Sequence, residues 1–351
     1  MLVLDNVTKA FKTGTFGGGT LPAVRGASFE IRPGEVTALI GESGSGKSTL
    51  GKLILRLTPV TSGTITFEGT DIATLKGKQL REYYRHVQGV FQDPFSSYNP
   101  VYRADRVFAT IRHSYYPGVS TDEWRERVDE TLESVGLNPA DVRDKFTHQL
   151  SGGQLQRILI ARALLLDIKL LIADEIISMI DASTRVDVLN LLSNLKTRGL
   201  GVLFVTHDLS LGNYISERTI ILRRGAVVEM GATPKVFDNP QHEYTKMLLT
   251  AVPQLHKKWE GELGAGTEVT GATSQDHDRG RRGRPSRYSK SSLHPLAGMH
   301  GRKGRRARAA ETERVLAAGL LRTDTYLRTH EEVPPLVEIE EDHFVATPAA
   351  K

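Results

Sequence analysis

Apolar residues in this chain gather into short unbroken runs, each closed by a glycine or a polar cluster. Val36–Ile40, Leu170–Ala173, Gly201–Thr206 and Thr219–Leu222 are of this kind. A strand with one wet face alternates apolar and polar residues, whereas a continuous run predicts a strand buried on both faces. The N-terminal stretch reads differently. Leu2-Val3-Leu4 and Ala27-Ser28-Phe29-Glu30-Ile31 are short β-segments on either side of Gly17-Gly18-Gly19, and Pro33-Gly34 marks a tight turn. A hairpin signal lies around Thr61-Ser62-Gly63, a strand spans Val87–Phe91, and a turn at Gly225 leads into Ala226–Glu229. Helical patterns cover Thr49–Leu55, Leu80–Tyr84, Arg157–Leu166 and Ala182–Lys196, and another opens at Thr121 with a capping pattern. From about 93 to 165 there is no long strand pattern, which predicts a helical insertion between two strands of one sheet.

The polar clusters that close the runs carry the chemistry. Val36–Ile40 delivers Gly41-Glu42-Ser43-Gly44-Ser45-Gly46-Lys47-Ser48-Thr49, with the spacing Gly-x-x-x-x-Gly-Lys-Ser between strand and helix. Glycines there let backbone N–H groups turn inward around a polyphosphate, and the following helix adds its positive end. Lys47 is placed to reach the β- and γ-phosphates and Ser48 to ligate Mg²⁺, so the stretch predicts binding of ATP or GTP. Val87–Phe91 leads to Gln92, an amide at the carboxyl edge of the sheet, where α/β folds hold ligands. Leu170–Ala173 ends in Asp174 and Glu175, paired acids where a metal and a water can sit, although Asp174 could also cap a helix. Gly201–Thr206 delivers His207, a residue type that is more often structural when it stands alone. Ser151-Gly152-Gly153-Gln154 opens a helix, either as a second anion-binding terminus or as a plain N-cap. Phe11, among polar neighbours, reads equally as a base-stacking aromatic or a sheet-core residue.

Composition narrows the setting. The 351 residues suffice for one large domain with an appendage, or for two domains. Absence of cysteine excludes disulfides and thiolate metal sites. No secretory leader or membrane-spanning run is apparent. Net charge is +5, yet eleven Lys and Arg lie between Arg279 and Arg308 without an acid, leaving 35 basic against 41 acidic residues elsewhere. A general nucleic-acid-binding face is therefore not indicated. Residues 256–308 are small, polar and Gly/Arg-rich, which predicts a solvated linker; attraction to anionic lipid and RNA binding are rival readings of its charge. Ala309–Leu321 could form a short amphipathic helix within a tail, 309–351.

The ordered set of motifs resembles the ATP-binding-cassette (ABC) ATPases over about residues 1–230. Gly41–Ser48 matches Walker A, Gln92 the Q-loop and Leu150–Gln154 the signature motif. Leu170–Glu175 matches Walker B, Ser178–Asp181 the D-loop and His207 the switch histidine. The resemblance implies an α/β fold: a RecA-like P-loop NTPase core with an N-terminal antiparallel β-subdomain, a helical insertion and a C-terminal extension. It places a nucleotide-binding domain over 1–232 and stacks Phe11 on adenine. Lys47, Glu175, His207 and Gln92 become the catalytic set, with Mg²⁺ at Ser48, Asp174 and Gln92. It also implies a head-to-tail dimer, with a paralogue or a second copy, in which Ser151, Gly152, Gly153 and Gln154 of one subunit cap ATP on the other beside Asp181. Residues 233–255, with Asn239-Pro240-Gln241-His242-Glu243-Tyr244-Thr245, look like the segment after the cassette in oligopeptide and dipeptide importers. Gln92–Pro100 and the tail around Pro334–Glu338 and His343–Ala346 share that likeness. Ile176 and Glu243 stand where that pattern usually has prolines. Some relatives carry iron–sulfur cysteines in this extension, a feature that cannot be carried over to a chain without cysteine.

The implied function is ATP hydrolysis coupled to import. The implied partners are two membrane-spanning permease subunits and, indirectly, a solute-binding protein, with the chain peripheral on the cytoplasmic face of the membrane. An oligosaccharide importer is the alternative within the class. A soluble ABC ATPase acting on ribosomes or DNA is the alternative outside it.

Overall fold

The parallel strands read from the apolar runs form the centre of an eight-stranded sheet in the computed structural model, which describes residues 1–12, 19–178, 180–251 and 333–347. All of these belong to one compact unit, residues 1–252 with 319–351. The N-terminal β-segments β1 (Leu2–Lys12) and β2 (Thr20–Ile31) pair antiparallel, and β3 (Val36–Ile40) then enters the large sheet. Helix α1 (Lys47–Ile54) follows the P-loop. β4 (Ser62–Phe67) and β5 (Thr70–Asp71) complete a separate four-stranded sheet in the order β2-β1-β4-β5. The expected hairpin around Thr61–Gly63 is displaced: Ser62 and Gly63 begin β4, and the reversal falls at Glu68-Gly69, both with positive φ.

Helix α2 (Gly77–His86) leads to β6 (Val87–Val90), one residue shorter than expected. The insertion is helical as the pattern predicts, with α3 (Arg106–Tyr115), α4 (Thr121–Ser134), α5 (Pro139–Val142) and α6 (Gly152–Leu164). The start of α6 differs from the expected Arg157. Ser151 is its N-cap, so the two glycines lie inside the first turn. Next come β7 (Leu170–Asp174), α7 (Ala182–Thr197), β8 (Gly201–Thr206), α8 (Leu209–Ile215), β9 (Arg218–Arg223), β10 (Ala226–Ala232), α9 (Thr233–Asp238) and α10 (Glu243–Thr250). After the undescribed stretch, β11 (Leu336–Glu340) and β12 (His343–Ala346) form a hairpin.

The large sheet runs β11-β12-β10-β9-β3-β8-β7-β6, with β9, β3, β8, β7 and β6 parallel. Successive residues of its central strands go to opposite faces, as the period of two requires. Leu171, Ala173, Val202 and Phe204 join the core under the helical insertion. Leu170, Ile172, Leu203 and Val205 join the core shared with the N-terminal sheet and α1. Both faces are dry, which accounts for the unbroken apolar runs. Each fully buried Leu or Phe of this kind stabilises the fold by roughly 1.5–3 kcal/mol.

The tail forms a specific edge rather than an independent appendage. β12 pairs antiparallel with β10, matching Glu229 with Val345 and Gly231 with His343. Arg218 of β9 forms an ion pair with Asp342 at the hairpin turn and lies 3.6 Å from Glu35. The linker 256–308, Ala309–Leu321 and Met179 lie outside the described residues. Among the described residues no helix is long and apolar enough to cross a membrane.

Candidate functional site at the carboxyl edge of the sheet

Strand register brings the motif residues to one edge. Ile40, the last residue of β3, pairs with Thr206 of β8. Asp174, at the end of β7, pairs with Val205, and Val90 of β6 lies beside Ala173. Four successive parallel strands therefore release the P-loop, His207, Asp174-Glu175 and the Gln92 loop side by side.

The P-loop backbone leaves no room for larger residues at two of its glycines. A Cβ on Gly41 would sit 2.1 Å from the Leu222 carbonyl oxygen, and one on Gly46, with φ 105°, would meet the Ala23 oxygen at 2.3 Å. Gly46 is the N-cap of α1, and no side chain caps that helix end. The first N–H groups of α1 are thus available to an anion. Lys47 is almost fully buried, and its Nζ donates to the carbonyls of Gly41 and Glu42 at 2.7 and 2.8 Å. Burial pushes its ammonium below the ordinary lysine range, against the pull of Glu175, Asp174 and Glu42. A cation held by two neutral carbonyls is a cation ready for exchange onto phosphate oxygens.

Asp174 is also buried, and burial raises its carboxyl above the usual range, opposed by a hydrogen bond with Ser48. Its Oδ1 has no hydrogen-bond partner. An orphaned carboxylate oxygen beside an exposed serine hydroxyl fits a hydrated divalent cation whose remaining ligands are phosphate oxygens. Among the described residues no cluster of three His, Asp or Glu forms a cage, and Mg²⁺ beside a nucleotide does not require one. Asp174 caps no helix.

Glu175 departs from the expected strand. It has φ 50°, in the left-handed region, and its N–H donates to the Val205 carbonyl at 2.9 Å. The turn after it is held without a proline: the Ser178 hydroxyl and N–H both donate to the Glu175 carbonyl, and Ile176 and Ile177 are buried in the core. The Glu175 carboxylate lies 3.1 Å from Nδ1 of His207, whose side chain is largely exposed. Asp208, next in sequence, caps α8 through Ser210 and Leu211.

Other predicted residues lie around this centre. Gln92 is exposed just past β6, Glu42, Ser43 and Gly44 face solvent, and Thr49 is half-buried in α1. Ser45 is buried, with a hydroxyl that lacks a partner. Phe11 is exposed near the end of β1, under the Lys9 ammonium at 5.0 Å. Ser151 and Gln154 form a capping box, the serine hydroxyl accepting from the Gln154 N–H at 3.1 Å and the Gln154 side chain accepting from the Ser151 N–H at 2.9 Å. Asp181 caps α7 through Thr184. Both positions thus serve their own helices.

Two residues of α6 escape the sequence reading. The buried Gln156 donates to the Phe91 carbonyl at 3.2 Å, and Arg162 donates to the Gly89 carbonyl at 2.8 Å. They tie the strand before Gln92 to the helix after Ser151. Their signal was available: each is a long polar side chain beside apolar residues that the helix buries, Leu155 for Gln156, Ala161 and Ala163 for Arg162.

Comparison with known proteins places this edge. Residues 24–178 match the family described as ABC transporter, and residues 228–280 match the oligopeptide/dipeptide transporter C-terminal region. The oligopeptide transport ATP-binding protein OppF of Bacillus subtilis is 43% identical over 237 residues, covering 67% of this chain and 77% of that protein. The chain belongs to the ABC transporter ATP-binding family. This ABC subunit is also 40% identical over 235 residues to OppF of Salmonella typhimurium, covering 67% of this chain and 70% of that one. Its fold is similar to a dimeric ATP-binding cassette solved in a post-hydrolysis state with ADP and Pi. The TM-score is 0.61 at 31% identity, covering 66% of this chain and 99% of the other. The structure of cbiO1 from Clostridium perfringens, part of the ABC transporter complex cbiONQ, gives 0.57 at 27% identity, covering 70% and 94% of the two chains. The RecA-like core, the antiparallel β-subdomain and the helical insertion of this ABC subunit agree with the expected fold class.

Proposed function

We propose that this ABC subunit hydrolyses ATP to drive import of peptides through partner membrane subunits. The observation that carries the hydrolytic reading is convergence of Lys47, Ser48, Asp174, Glu175 and His207 at one sheet edge, with the Asp174 oxygen unpartnered. The peptide reading is supported by the second matched region and by the names of the relatives.

In this reading Lys47 keeps the Gly41 carbonyl and turns its other two donors to β- and γ-phosphate oxygens, while the P-loop N–H groups hold the chain. Ser48 and Asp174, with Gln92 through water, would hold Mg²⁺, which supplies charge neutralisation on the phosphates. Glu175 orients a water and takes its proton as the water oxygen bonds to the γ-phosphorus. The bond from that phosphorus to the β–γ bridging oxygen breaks, leaving ADP and phosphate. His207 holds the Glu175 carboxylate and reaches the γ-phosphate. Phe11 stacks on the adenine.

Ser151 and Gly153 act in trans, capping ATP on the P-loop of a second ATP-binding subunit, with Asp181 beside it. Nucleotide then favours the closed pair, and hydrolysis releases it. The exposed Phe95, Val101 and Tyr102 near the Gln92 loop give an apolar surface for two membrane-spanning permease subunits, which keep the chain peripheral on the cytoplasmic face of the membrane. A solute-binding protein delivers peptide from the other side.

The test is Glu175→Gln, measured for ATP binding and for turnover in the assembled transporter. Binding is expected to persist while hydrolysis slows by at least about a hundredfold. Near-normal turnover would reject Glu175 as the base.

A further inference from the structure

The peptide unit between Gly41 and Glu42 is held from both ends. Its carbonyl accepts from Lys47 Nζ at 2.7 Å, and its N–H donates to the hydroxyl of Tyr244 at 3.1 Å. Tyr244 comes from α10, 202 residues away in sequence, and its side chain is fully buried. The ring packs among Ala38, Ile40, Leu209, Ile221, Val228 and Val236, with the Arg223 guanidinium 4.6 Å from its centre. One phenol therefore fixes the tilt of the carbonyl that positions the P-loop lysine.

Tyr244 is itself held by a series of buried polar contacts that ends in the C-terminal hairpin. Its backbone N–H donates to Nδ1 of His242 at 3.1 Å. The backbone N–H of His242 donates to Glu229 Oε2 at 3.0 Å, and that of Gln241 donates to Glu229 Oε1 at 2.8 Å. His343 of β12 lies with Nε2 2.8 Å from Glu229 Oε1 and Nδ1 3.1 Å from Glu340. The side chains of Glu229 and His343 are both fully buried. A buried carboxylate needs every such donor, since losing one leaves charge uncompensated.

We propose that Tyr244 is a positioning residue for Lys47, and that the hairpin 336–346 sets Tyr244 through His343, Glu229 and His242. The post-cassette segment and the tail then belong to the nucleotide site, although neither touches phosphate. This rests on the P-loop reading above. A phenol that merely filled the core would carry no such coupling, since a ring without the hydroxyl would serve equally.

The test uses the full chain and ATP with Mg²⁺, with affinity and thermal midpoint measured for Tyr244→Phe, Lys47→Ala and the double variant. Removing one hydrogen bond is expected to weaken ATP binding about 3- to 10-fold with little change in midpoint. In the Lys47→Ala background the same change should have almost no effect, because the carbonyl then has no ammonium to place. Equal losses in both backgrounds, or no loss in either, would overturn the role. If Lys47→Ala itself bound ATP as the parent does, the P-loop reading would fail instead. For the hairpin, His343→Ala should weaken ATP binding in the same direction and His343→Gln should restore most of it. If the alanine variant does not fold, Glu229→Gln is expected to show the same loss. Unchanged ATP affinity in these variants, whatever the midpoint does, would reduce the hairpin to a cover for the sheet edge.

Discussion

Single residues at the sheet edge have almost no freedom of substitution, and the reason differs at each. Gly41→Ala would drive a Cβ to 2.1 Å from a backbone oxygen of β9, so the loop must move. Since the same residue supplies a carbonyl to Lys47, ATP affinity is expected to fall at least about tenfold while the fold persists, as calorimetry with ATP would show. Unaltered affinity would mean that the loop yields without disturbing Lys47. These residues were legible in the sequence because phosphate chemistry demands particular side chains at fixed spacing after a buried strand. The left-handed backbone of Glu175 was not legible, nor was the way Ser178 replaces the proline constraint. Both depend on where the Val205 and Glu175 carbonyls lie in three dimensions. Tyr244 could be matched to a motif, but its hydroxyl contact crosses 202 residues and leaves no local pattern.

At the scale of elements, α6 joins two tasks. Its N-cap serine closes a capping box in its own subunit and is proposed to cap nucleotide on a partner. Ser151→Ala separates the two. In the isolated chain, loss of the cap is expected to cost about 1 kcal/mol, read as a small drop in thermal midpoint. In the assembled transporter, ATP turnover should fall far beyond what that destabilisation explains, and a matching small loss in both assays would leave only the cap. The sequence reading drew the helical pattern only from Arg157, whereas the helix runs from Gly152 with both glycines in its first turn. Glycine weakens a helix interior but is tolerated in the first turn, so propensity alone sets the boundary too late. Central strands were read almost to the residue, because burial on both faces admits little but apolar side chains. Phe204 of β8 typifies them, and Phe204→Ala is expected to cost roughly 3–5 kcal/mol in denaturant unfolding.

The whole molecule carries a pH dependence that starts from His242. Burial lowers its imidazole from the usual 6.5 to about 4, with Glu229 pulling upward, Arg223 downward, Glu243 upward and Lys246 downward. Between those values the unfolded chain binds a proton that the folded chain does not. Stability from this group is therefore full above about pH 6.5 and is lost as pH falls towards 4, by on the order of 3 kcal/mol. Denaturant midpoints at pH 7 and 5 should separate for the parent and converge for His242→Asn; equal separation in the two would assign the dependence elsewhere. The tail was the part of the fold least legible, since β12 finds β10 across a long intervening stretch that has no apolar periodicity pointing to its destination. That separation has a consequence during translation. Glu229 and His343 stand 114 residues apart, so at ribosomal rates the buried acid waits about 6–23 s for its histidine. Until then the β10 edge is open to any passing strand, and a nonsense codon anywhere in that interval would make the opening permanent.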